Sequence, residues 1–147
     1  MKALILMLTL CTSTWAQSDL RQMVARFEGL TGTGYVTKAD FEDQNKGECF
    51  LQVDDGKTYS TFWLKFKRDY GYFVFSNMID SIKEKRGETV VTYQATEDFG
   101  GQICGKWAPA KKVVSRMILS EDSITLERTY RCPYFIFKST DRWICKF

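Results

Sequence analysis

The 147-residue chain is long enough for one domain around one core, and 15% aromatic residues with only two prolines argue for packed β structure over disorder. A net charge of +3, with acids interspersed among bases, gives no electrostatic footprint for nucleic acid. The chain has no histidine, which removes Ser-His-Asp and Cys-His catalysis and every imidazole metal ligand.

Lys2 supplies a short positive region and residues 3–10 an apolar one, too short to span a bilayer. Thr14-Trp15-Ala16 then offers small residues at the cleavage contacts, so residues 1–16 are predicted to be a signal peptide and 17–147 a single β-barrel-like domain. Cys11 follows Leu10, where a lipidation signal would carry a small residue, and cleavage after Ala16 is the preferred reading. No later stretch approaches the roughly 20 apolar residues of a membrane-spanning helix. The expectation is an exported protein, periplasmic or secreted, that does not span a membrane.

Ser18 has the character of a helix N-cap, with Leu20, Met23, Val24 and Phe27 at helical spacing and Gly29 as the stop. Gly29, Gly32 and Gly34 follow the helix and precede a strand-like run over 35–41. That is the reverse of a phosphate-binding loop, so they predict a tight turn and close backbone packing.

Residues 49–76 read as a three-stranded meander with turns at Asp55-Gly56 and near Arg68-Asp69. Two-residue turns would set Leu51 opposite Ser60 and Leu64 opposite Phe73. One face would then collect Cys49, Leu51, Val53, Phe62, Leu64, Phe66, Phe73 and Phe75. The other would carry Phe50, Tyr59, Trp63, Tyr72 and Val74 and provide either a floor for the N-terminal helix or an interaction surface.

Residues 77–86 fit either a short helix or a strand turning at Arg86-Gly87. Strands follow over 89–95 and 102–107, with Pro109 in a turn. A clear hairpin then joins 113–119 to 123–130 around Glu121-Asp122, aligning Leu119 with Ile124 and Arg116 with Glu127. A last hairpin is predicted from 134–137 and 143–147 around residues 139–141. About eight to ten short strands in sequence order point to a mainly β fold, an antiparallel meander closing as an up-and-down barrel or a sandwich.

Cys49, Cys104, Cys132 and Cys145 remain after the signal and read as two disulfides with three possible connectivities. Cys132 and Cys145 are close enough in sequence to staple the last hairpin, which favours Cys49 with Cys104 as the other pair. No Cys-x-x-Cys knuckle supports zinc. The acidic groups Asp40, Glu42, Asp43 and Glu97, Asp98 read as solvated strand ends, and no nucleophile–base pair is assembled, so neither an enzyme nor a cofactor is expected.

Arg128 stands out. The hairpin register turns it inward beside Ile124, Leu126 and Tyr130, opposite Ser115, where a cation needs a partner. It either holds the acidic group of a ligand or pairs with a buried acid or water. The candidate ligand-binding set is Arg128, Phe62, Phe66, Phe73, Phe75 and Tyr130; the alternative interaction surface is Phe50, Trp63 and Tyr72.

A helix, then Phe27-Glu28-Gly29-Leu30-Thr31-Gly32-Thr33-Gly34-Tyr35, then a β meander resembles the calycin superfamily of lipocalins and fatty-acid-binding proteins. Where lipocalins carry Gly-x-Trp, this chain has Gly29-Leu30-Thr31. The resemblance implies an eight-stranded barrel with an apolar cavity for a small hydrophobic molecule, and Arg128 as its inward cation. The export signal and cysteines are also similar to those of small periplasmic barrels that inhibit lysozymes, which implies a protein partner instead.

Overall fold

The computed structural model describes residues 19–38, 41–67, 69–94, 104, 111–133 and 136–147, with strand pairing alone at 38, 41–45, 69–73, 111 and 112. The expected signal segment, Ser18, Cys11, Asp40, Glu97, Asp98, Pro109, Tyr134 and all of the 102–107 strand except Cys104 lie outside the described residues.

Among the described residues one short helix, α1 (residues 19–25), precedes nine antiparallel strands. These are β1 (Gly32–Lys38), β2 (Phe41–Asp55), β3 (Ser60–Phe66), β4 (Asp69–Phe75), β5 (Ile79–Lys85), β6 (Glu88–Tyr93), β7 (Lys111–Leu119), β8 (Ser123–Arg131) and β9 (Ser139–Lys146). Their hydrogen-bonded order, β4-β3-β2-β1-β9-β8-β7-β6-β5, forms a nearly closed barrel, compatible in architecture with a calycin-like layout. Every pairing in that order is antiparallel, so β4 and β5 at its two ends run in the same sense. Only the three-residue 3-10 turn Ser76–Met78 joins them, and its flanks Phe75 and Ile79 keep extended backbone. The two therefore act as one kinked strand, the first half bonded to β3 and the second to β6. The Ser76 hydroxyl accepts from the Ser60 N–H at 2.9 Å and the Met78 carbonyl from the Gln94 N–H at 2.9 Å, which fastens the kink to both neighbours. The ambiguous 77–86 segment is thus a helical turn and then a strand.

The helix lies across one end of the barrel. Its Leu20 and Val24 are fully buried in the core, with Phe27 beneath at 5.0 Å from the Phe147 ring. Polar ties fix the lid at its rim: Arg26 donates to the Ser120 carbonyl at 2.6 Å, and Arg21 reaches Glu28 at 2.7 Å and Asp55 at 3.4 Å. The helix thus closes the barrel and does not pack on the outer face of β2–β4, where a floor for it was an option.

The β7–β8 hairpin has the expected register, with Leu119 opposite Ile124, Met117 opposite Leu126 and Arg116 opposite Glu127. The central meander departs twice. The β2–β3 connection spans residues 56–59, not two residues, closed by Gly56 N–H to the Tyr59 carbonyl and the Ser60 hydroxyl to Asp55. Leu51 therefore faces Leu64, and the shift, being even, preserves the faces. In β3–β4 Phe66 pairs with Asp69 in place of Gly71, and an irregularity between Leu64 and Phe66 adds one odd step. That odd step exchanges the faces of β4. Val74 is buried in the core, while Phe75 pairs opposite Thr61 and Phe73 opposite Trp63. Phe75, opposite Thr61, is therefore on the outer face and not the inner one, while Phe73, expected opposite Leu64, pairs with Trp63, and Tyr72, expected opposite Lys65, pairs with Leu64. No last hairpin forms around 139–141: those residues belong to β9, paired with β8 and β1.

Both disulfides differ from the favoured pairing. Cys49 joins Cys145, and Cys104 joins Cys132. The first links β2 to β9 across the intervening β1, where Gly32 pairs with Cys49 and Gly34 with Cys145. A Cβ on Gly32 would collide with the Lys146 carbonyl and come 3.0 Å from the Cys145 sulfur. One on Gly34 would come 2.6 Å from the Phe66 ring and 3.3 Å from the Cys49 Cβ. The close packing expected of these glycines is present, and its reason is a side-chain-free path beneath β1 for the bridge.

Candidate binding site inside the barrel

Register carries one row of inward residues across four strands: Tyr93 on β6 pairs with Ser115 on β7, Ser115 with Arg128 on β8, and Arg128 with Asp141 on β9. The next two inward rows towards the helix are apolar but for Thr89: Val91, Met117, Leu126 and Trp143, then Thr89, Leu119, Ile124 and Cys145. A polar row thus sits on an apolar wall, away from the helix.

Within the row, Arg128 donates to Asp141 at 3.0 Å, and the two side chains are only 14% and 6% exposed. An ion pair this dry must be held geometrically, since removing either partner strands a charge. The guanidinium lies 5.1 Å from the Trp143 ring centroid and 5.8 Å from that of Tyr130, inside cation–π range. The Tyr130 hydroxyl adds a long contact to Asp141 at 3.4 Å. Arg128 Nε is buried and has no hydrogen-bond acceptor among the described residues. Burial of the Tyr93 hydroxyl pushes its phenol up to about 12, against the opposing pull of the Arg128 charge and a hydrogen bond from Ser115. The row can therefore offer a fixed guanidinium donor, a neutral phenol and a serine hydroxyl to a polar head, with apolar side chains beside them.

Of the residues singled out in sequence, Arg128 and Tyr130 belong to this row and its rim, and Tyr130 is buried. Phe62 and Phe66 are buried in the apolar core of β3. Phe75 is on the outer side, edge-on to Tyr59 at 5.4 Å. Sequence reasoning missed Tyr93, Asp141 and Trp143. Pairing β8 with the segment after Lys138 would have set Asp141 opposite Arg128.

The outer face of β2 and β3 carries Phe50, 41% exposed, and a half-buried Trp63. Lys65 donates to Gln52, Gln52 to Asp54 at 2.7 Å, and Lys65 lies 5.7 Å from the Trp63 ring centroid. A groove of about 370 Å³ along the β2–β3 turn, between Asp54 and Thr61, contains none of the inner-row residues. Compared with known proteins, the chain matches no protein-family model and no curated protein.

Proposed function

We propose that this is an exported binding protein that holds a small apolar or amphipathic molecule in its barrel, with the molecule's polar head at Arg128. The observation that carries the reading is the inward polar row over an apolar wall, with a buried Arg128 Nε–H that has no acceptor among the described residues. An unsatisfied buried donor costs about 1–3 kcal/mol, which an acceptor on a ligand would recover. Because Asp141 already neutralises Arg128, the favoured head is a hydrogen-bond acceptor such as a hydroxyl, carbonyl or carboxylate, without a requirement for net negative charge. Four cysteines committed to two disulfides support an oxidising compartment, periplasmic or extracellular. The test is calorimetric titration with alkyl chains of equal length bearing hydroxyl, carboxylate or ammonium heads. The acceptor heads should bind one to one and the ammonium should not; equal binding of all three would defeat the role given to Arg128.

A second reading, an interaction module or inhibitor, draws support from the outer face. With the helix across the barrel end, Phe50 and Tyr59 stay 41% and 38% exposed. Replacing Phe50 and Trp63 with serine should abolish capture of a protein partner under this reading and leave amphiphile binding untouched under the first.

A further inference from the structure

Ile136 and Phe137 are 80% and 81% exposed, whereas the other large apolar side chains at the described surface reach only 38–46%. Two adjacent, fully solvated apolar side chains contribute nothing to this fold's core and point to an external apolar phase. They lie on the connection between β8 and β9, at the barrel end opposite the helix. Cys132, at the base of that connection, is tied to Cys104, which braces the tip.

Along residues 128–140 the formal charges are all of one sign. Arg131 and Lys138 flank the tip, and no acid occurs between Glu127 and Asp141. Those two acids are already engaged. Glu127 accepts from Arg142 at 2.8 Å on the outer face, and Asp141 is buried against Arg128. Apolar side chains at a tip with cations behind them suit the boundary of an anionic bilayer, where rings enter the acyl region and Lys or Arg meets the headgroups.

We propose that the Ile136–Phe137 tip is a membrane-surface anchor for anionic bilayers, independent of what the barrel holds. The test is flotation of the intact protein with phosphatidylcholine vesicles, with and without phosphatidylglycerol. The wild type should float with the anionic vesicles and lose binding as salt rises. Ile136→Ser/Phe137→Ser should weaken partitioning by roughly tenfold or more, and Lys138→Glu by several-fold, with unchanged thermal melts because these side chains are solvated. Three results would overturn the proposal: no flotation of the wild type, undiminished flotation of the double-serine protein, or self-association without vesicles that the same substitutions abolish, which would make the tip a contact between copies.

Discussion

Asp141→Asn should be among the most damaging single changes in the barrel. It keeps the shape of the side chain and removes the charge that faces the Arg128 guanidinium at 3.0 Å. Loss of one partner of a fully buried pair costs about 3–5 kcal/mol. Arg128 retains 14% exposure, so some relief through water is available, and a loss of about 2–4 kcal/mol is expected. For a domain of this size that is a fall of roughly 6–15 °C in melting temperature. Arg128→Met should cost a similar amount, because Asp141, 6% exposed, is then left nearly dry without its cation. Arg128→Met with Asp141→Leu should recover stability to within about 1 kcal/mol of wild type, since neither charge remains to be stranded. Urea denaturation of the wild type, Arg128→Met, Asp141→Leu and the double variant closes the cycle, with Asp141→Asn measured beside it as the isosteric change. If Asp141→Asn costs under about 0.5 kcal/mol, or if the double variant loses the sum of the two singles, the pair is not the dry, coupled element described.

Gly34→Ala should destabilise by about 1–3 kcal/mol in thermal melts, because the added Cβ meets the Phe66 ring at 2.6 Å over the Cys49–Cys145 bridge. Tyr93 gives an alkaline signature. Its folded pKa of about 12 lies above the ordinary value of 10, so the native state holds the proton more tightly. Stability from this group is full below pH 10 and is lost as pH rises towards 12, by about 2–3 kcal/mol. Tyr93→Phe should remove that part of the decline, measured as the difference between the two proteins' stability–pH curves.

What was legible in the chain is what alternation and short turns determine. The β7–β8 hairpin has both, so its register and the inward direction of Arg128 followed directly. The faces of β4 did not, because a single irregularity between Leu64 and Phe66 carries no residue signal and inverts everything beyond it. Ser139, Thr140 and Asp141 are turn-forming types, yet here they pair with Tyr130, Thr129 and Arg128 in the sheet, so tertiary pairing overrode local preference. Cys49 and Cys145 come together only because β1 lies between β2 and β9, an adjacency 96 residues apart that spacing cannot reveal. The helix shows the same divide. Its apolar stripe is plain, but the chain offers two apolar floors, and only the closed sheet determines that Leu20 and Val24 enter the barrel.

Native mass spectrometry of the wild type and of Arg128→Met/Asp141→Leu, each mixed with a long-chain alcohol or carboxylate, tests the central claim most directly. The double variant is expected to keep the fold while losing the donor. The wild type should carry one bound molecule and the variant substantially less. Absence of any complex with the wild type, or equal occupancy of the two proteins, would contradict a binding barrel headed by Arg128.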